Sequence, residues 1–164
     1  MQYAQATAAE VKQAQVPHNL YVSGVFFFDL LMTPAVLAMK IGMVGLLLPL
    51  LCSGLLIGYI YLRSKKRTTW FVDAHWRLSL RNSLWLLRGY AVSALLIFIA
   101  WLITLTLHDA NMKHILWTAL TRVALLPTLI AVLATAVMEA SAIPQAGKRE
   151  VPDKIAKAFP PPAQ

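Results

Sequence analysis

The stretch Arg63-Ser64-Lys65-Lys66-Arg67-Thr68-Thr69-Trp70-Phe71-Val72-Asp73-Ala74-His75-Trp76-Arg77-Leu78-Ser79-Leu80-Arg81 divides the chain into two strongly apolar halves. Six of its side chains are basic: Arg63, Lys65, Lys66, Arg67, Arg77 and Arg81. Long runs of Leu, Ile, Val, Ala, Met and Phe lie on both sides. Basic residues gather at the cytoplasmic ends of bilayer-spanning helices. The stretch therefore reads as the cytoplasmic hinge of a small membrane protein.

Composition points the same way. The chain is 59% hydrophobic and 13% charged, against about 25% charged in soluble domains. A soluble protein this apolar would expose sticky surface, so the bilayer is the better solvent. The net charge of +8 sits in one loop and one tail beside apolar runs. That is how membrane proteins distribute charge, and no nucleic-acid partner is expected. A single cysteine, Cys52, lies in an apolar run and excludes an internal disulfide. Residues 1–19 show no secretory-signal pattern.

Four apolar runs are long enough to span: residues 20–39, 43–62, 83–107 and 115–138. The first, twenty residues or about 30 Å of helix, carries Asp29 and Pro34, and its alternative is a re-entrant hairpin with the second. Only Lys40-Ile41-Gly42 separates these two, which makes them antiparallel neighbours. Pro49 is expected to kink the second helix. Gly54 and Gly58 form a Gly-x-x-x-Gly, a spacing that lets two apolar helices approach closely.

Between the second and third runs the hinge, residues 63–82, is expected to hold an amphipathic helix from Thr69, capped by Thr68 or Thr69. Asp73 falls in its first turn, where the helix dipole favours an acid. Asp73, Arg77 and Arg81 recur at i, i+4 and i+8, while Phe71, His75, Leu78 and Trp85 fall on another face. Such a helix lies in the headgroup region. Arg88, one turn into the third run, can snorkel to the same headgroups. The flanks, residues 1–19 and 139–164, read as a loose Ala/Gln-rich tail ending at Pro17 and a flexible, basic, Pro-rich tail. The expected fold is all-α: an integral membrane bundle of four transmembrane helices with an interfacial amphipathic helix between the second and third.

Charge sets the orientation. The N-tail, hinge and C-tail share one side and carry eleven Lys/Arg: Lys12, six in the hinge, and Lys148, Arg149, Lys154 and Lys157. The other side has two, Lys40 and Lys113. The positive-inside rule places both termini in the cytoplasm, as for a multi-pass protein of a bacterial inner membrane.

Charges inside apolar runs are costly and mark function or a packing lock. Asp29 and Arg122 lie about 15 and about 11 Å from the outer ends of their helices by helical rise. Their depths match well enough for an ion pair between the first and fourth helices. A lock closing the bundle, a polar path for a proton or ion, and a contact to a partner protein are its three readings. A relay needs several titratable groups in line, and none is evident in the sequence. His108, Asp109, Met112 and His114 resemble metal ligands by residue type, but their spacing fits a polar turn, and no metal is expected. No nucleophile elbow, phosphate loop, paired carboxylates or cysteine cluster is present, so neither enzyme activity nor a cofactor is expected.

The segment Phe71-Val72-Asp73-Ala74-His75, followed by Ser79-Leu80-Arg81-Asn82 and preceded by Lys65-Lys66, resembles a signature of small bacterial membrane proteins of unknown function. That family is distantly related to the chloroplast inner-envelope import-channel family. The resemblance covers about twenty residues and departs at Trp76-Arg77-Leu78, where the family carries Gly-Lys-Glu. It implies a four-helix membrane fold and no enzyme activity.

These readings give a non-catalytic accessory or scaffolding subunit that packs against a larger membrane complex through Gly54 and Gly58 and several aromatics. Arg63, Lys65, Lys66, Arg67, Asp73, His75, Arg77, Arg81 and Arg88 are its expected contacts with lipid headgroups or the partner. The lipids would be those of the anionic inner leaflet. The alternative is a small transport component, possibly homo-oligomeric, with a polar path through Asp29 and Arg122.

Overall fold

The computed structural model describes residues 1–39 and 43–162. The expected outer connection, Lys40-Ile41-Gly42, lies outside the described residues. The described chain is helical, its only β pairing an isolated bridge between Gln2 and Glu150.

The first helix, α1, is Ala8–Gly24. It starts on a capping box: the Thr7 hydroxyl accepts from the Glu10 N–H, and the Glu10 carboxylate accepts from the Thr7 N–H at 2.7 Å. This reciprocal pair satisfies two otherwise unpaired donors, so helix begins well inside the segment expected to be loose. It also runs through Pro17 rather than ending there. A mid-helix proline costs about 3 kcal/mol, and here it stands among buried residues, with His18 and Tyr21 at 0% exposure.

Eight residues of π-helix, Val25–Met32, follow, then α2, Thr33–Ala38. Pro34 explains the wide turn: it lacks an N–H, and its ring crowds the preceding carbonyls. The Thr33 hydroxyl donates to the Phe28 carbonyl at 3.3 Å and satisfies one acceptor of the widened turn.

A 3₁₀ turn, Met43–Leu46, leads into α3, Leu47–Ser64. Pro49 therefore falls in the first turn of α3, not at a kink in its middle. Its missing N–H would have had no helical partner there.

The helix α4 is continuous over 36 residues, Trp70–Leu105. At about 1.5 Å per residue it is about 54 Å long, well beyond a bilayer's apolar thickness of about 30 Å. Its first third carries Asp73, Arg77 and Arg81. Residues 70–76 are all buried, so this part is no separate one-sided helix lying along a surface. The Asp73 carboxylate caps backward, accepting from the Thr68 N–H at 3.0 Å and the Thr68 hydroxyl at 2.7 Å.

The next helix, α5, is Ala110–Ala124, and α6 is Leu126–Gly147. Asp109 caps α5 by accepting from the N–H groups of Asn111 and Met112 at 2.7 and 3.1 Å, so helix starts inside the expected outer loop. Pro127 sets the break at Leu125. Near it, the Thr128 N–H donates to the Ser93 hydroxyl at 3.2 Å. Beyond α6 the chain reverses through Arg149, at φ +58°, with the Glu150 N–H donating to the Gln145 carbonyl at 2.8 Å. A bond of that span closes helices that end on a left-handed residue. A final short helix, α7, is Asp153–Ala158.

Among the described residues, four helical runs are long and apolar enough to cross a membrane: Ala8–Val36, Val44–Ser64, Trp70–Leu105 and Ala110–Gly147. The chain forms two compact units: unit 1, Met1–Ser83 with Ala136–Gln164, and unit 2, Leu84–Thr135. Unit 1 has a core built from its N-terminal, hinge and C-terminal parts, including Ala14, Phe71, Leu78, Ala142, Val151 and Ile155. The C-terminal segment expected to be flexible is thus packed: Val151 and Ile155 are 1% and 5% exposed. The indole N–H of Trp70 donates to the Phe159 carbonyl at 2.9 Å. Tyr3 rests against Trp70 with ring centroids 4.9 Å apart. Sparse apolar residues in these tails conceal this at sequence level, because each contributes one or two anchors rather than a periodic face.

In unit 2, Gly89 of α4 lets α6 approach closely. A Cβ there would sit 2.4 Å from the Ala131 Cβ and 3.2 Å from the Pro127 carbonyl oxygen.

Candidate functional site

Unit 1 places three titratable side chains from three helices in one buried line. His18 projects from α1, His75 from α4 and Glu139 from α6. The Glu139 Oε2 lies 2.5 Å from the His18 Nδ1. On the other side of that ring, the His18 Nε2 lies 2.9 Å from the His75 Nδ1. Glu139 and His18 are 0% exposed and His75 is 1%. The two imidazoles meet edge to face, and Phe71 packs on His75 at 4.9 Å between centroids.

The local sequence explains the placement. His18 stands at the last polar turn before the first apolar run, and Glu139 at the first position after the fourth. His75 lies five residues into α4. His18 and His75 thus precede apolar runs, and Glu139 follows one. Buried polar groups are normally paired, and the centre of this line obeys that rule. Its two ends do not: among the described residues the buried Glu139 Oε1 and His75 Nε2 make no well-formed hydrogen bond, although the Glu150 backbone acts on His75.

His75 lies in the charged first third of α4, outside the apolar stretch that begins at Ser83. Burial, first, and the positive charge on neighbouring His18, second, push it down to about 3, with a smaller opposing effect from the Glu150 backbone. His75 is therefore a neutral ring at ordinary pH. His18 can donate to the Glu139 carboxylate from one edge while facing His75 on the other. The three side chains are closed off from solvent, and a carboxylate and two imidazoles in line can hold or move a proton. Among the described residues no three His, Cys, Asp or Glu are arranged to hold a metal ion.

Other expected site residues stand apart from this line. The Asp29 carboxylate, in the π-helical segment, accepts from the Ser53 hydroxyl of α3 at 3.0 Å. Asp29 belongs to unit 1 and Arg122 to unit 2. Among the described residues no atom beyond the local helix lies within 4 Å of a Cβ built on Gly54 or Gly58, so this pair packs against none of them. Gly24 does instead, where a Cβ would lie 2.1 Å from the Leu56 Cδ2.

Among the expected headgroup or partner contacts, Asp73 and His75 are buried, which corrects their assignment to an exposed surface. Asp73 serves the Thr68 turn and His75 the buried line. Arg63 lies over the Trp76 ring at 5.1 Å and Lys65 over Tyr61 at 4.1 Å. Arg77 covers Phe159 at 3.7 Å and Arg88 covers Trp85 at 4.6 Å. Lys66, Arg67 and Arg81 are exposed. In unit 2, His108, Met112 and His114 are also exposed. His114 and Lys113 line an open cleft of about 390 Å³ with Trp101 and Trp117.

His18 and Glu139 carried no motif, so residue type alone did not select them. Their signal was positional. Residues 18, 75 and 139 each adjoin an apolar run, where an unpaired titratable group is costly. Comparison with family models, curated proteins and solved structures gives no match to this chain.

Proposed function

We propose that this is a non-catalytic integral protein of a bacterial inner membrane, an accessory or scaffolding subunit that packs against a larger membrane complex. Both termini and the hinge face the cytoplasm. The observation that carries this reading is uncovered apolar surface. In the most apolar window of each candidate span only 22 to 28% is buried. Lipid or another membrane protein must cover the rest. Leu51, Leu55, Tyr59 and Leu62 of α3 are all exposed, alongside the open glycines Gly54 and Gly58, where another helix can approach closely.

The basic surface fits the same orientation. Lys65, Lys66, Arg67 and Arg81 stand where an anionic inner leaflet attracts about 1 kcal/mol per basic residue. The first turns of α4 then lie at or above the headgroups. The resemblance around Phe71–His75 agrees with a membrane role without an enzyme activity. Purification from native membranes in mild detergent tests the reading: a larger membrane protein should co-purify in fixed stoichiometry, and Gly54→Val/Gly58→Val should lose it. A clean monomer from native membranes would contradict it.

One observation favours a second reading, a small transport component. Asp29 lies in a π-helical segment of a candidate span, and such segments recur at functional sites. An Asp29–Arg122 polar path is the corresponding proposal. Replacing both residues with Leu should then abolish flux and leave folding intact, whereas unchanged flux would exclude the path.

A further inference from the structure

We propose that Glu139, His18 and His75 form a proton-binding site that holds one proton in closed unit 1 and parts α1 from α4 when it takes a second. At 0–1% exposure, the line admits no ligand larger than a proton without opening. The two contacts are satisfied at two proton counts. With Glu139 ionised and both rings neutral, His75 donates from Nδ1 to His18 Nε2, and His18 donates from Nδ1 to Glu139. The line then carries a buried net charge of −1.

A proton from solvent that reaches His75 Nε2 allows the Nδ1 proton of that ring to pass to His18 Nε2. His18 becomes an imidazolium against the carboxylate, His75 stays neutral, and the net charge becomes zero. Only N–H bonds form and break. Electroneutrality favours this state, because an unpaired buried charge is far more costly than a hydrogen-bonded pair.

A second proton on a ring must go to His75 Nδ1. That nitrogen faces His18 Nε2 at 2.9 Å, which already bears a hydrogen. Two N–H groups on two cations cannot keep this contact, so the joint between α1 and α4 opens.

Other titratable groups on the surrounding elements are engaged or turned away. Tyr21 is buried one turn along α1. On α4, Asp73 holds Thr68 and Arg77 covers Phe159. From α3, Arg63 lies over Trp76. Glu150 approaches His75 through its backbone, and its residue is exposed.

The test uses the full chain in nanodiscs. Hydrogen exchange, corrected for its intrinsic pH dependence, should rise about 30-fold in residues 11–19 and 71–79 between pH 7.5 and 5, by proton linkage at His75. The variant His75→Gln should lose that rise. An unchanged exchange rate in the natural sequence, or the same rise in the variant, overturns the proposal. A second measurement does not depend on that variant folding. In His108→Gln/His114→Gln protein labelled with ¹⁵N-histidine, the two remaining rings should read as one imidazolium and one neutral ring at pH 7.5. Two neutral rings would overturn the held proton.

Discussion

Removing His18 should strand its two neighbours, and the cost can be set from their surroundings. Glu139 has 0% exposure, and its Oε1 already lacks a partner. His18→Leu removes the His18 hydrogen bond to Oε2 and strands a buried carboxylate. Breaking a buried pair on one side costs about 3–5 kcal/mol. Losing the bond to His75 Nδ1 adds about 1–3 kcal/mol. Glu139→Leu alone leaves His18 without its counter-charge, at a similar cost. The double variant His18→Leu/Glu139→Leu removes both charges together, and apolar replacement of a whole buried pair is often neutral. A double-mutant cycle should therefore show coupling of about 2 kcal/mol or more, far outside the few tenths expected of independent sites. Reversible unfolding in mixed micelles, followed by the buried indoles Trp70 and Trp76, measures it. Additive effects, or a His18→Leu cost below about 1 kcal/mol, would refute the reasoning.

Three further expectations concern packing and pH. Gly89→Val should destabilise by about 1–3 kcal/mol through overpacking against Ala131 and Pro127, whereas Gly54→Val should change unfolding by less than about 0.5 kcal/mol; equal effects would contradict the contact geometry. Ile155→Ala should cost about 2–5 kcal/mol, loosening the C-terminal segment so that trypsin cuts after Lys148 or Arg149 faster than in the natural sequence. Finally, His75 is held down to about 3 by burial and by His18, so the unfolded chain binds more protons than the folded one between roughly pH 6.5 and 3. The His75 contribution to stability is full above that window and falls as pH drops through it, by about 2 kcal/mol at pH 5. The same change in melting temperature from pH 7.5 to 5 in the natural sequence and in His75→Gln would contradict this.

The long apolar runs were legible in the sequence because helix length and bilayer thickness are both fixed quantities. The second and fourth runs correspond to α3 and to the α5–α6 run. Prolines were harder to place. Pro49 and Pro127 both fall in the first turn of a helix, but only Pro127 follows directly on another helix, α5, and so marks a break inside a long run; boundary position is what residue type does not encode. The tails are hard to read for a different reason. Thr7 and Glu10 form a capping box that was visible in principle, but Val151 and Ile155 acquire meaning only once Phe71 and Leu78 supply a surface for them. Glycines show the same dependence: Gly54/Gly58 has the recognised spacing, while Gly24 and Gly89 are the ones packed against Leu56 and Ala131. The line Glu139–His18–His75 was least legible, since its members are separated by 57 and 121 residues and meet only through tertiary packing.

The central claim is that four helical runs cross a bilayer with the basic hinge inside. It is tested most directly by labelling single cysteines in intact cells, on a Cys52→Ser background, with a membrane-impermeant maleimide. Met112→Cys should be labelled from outside, and Lys66→Cys only after the cells are permeabilised. Labelling of Lys66→Cys in intact cells, or recovery of the chain from cells without detergent, would contradict the claim.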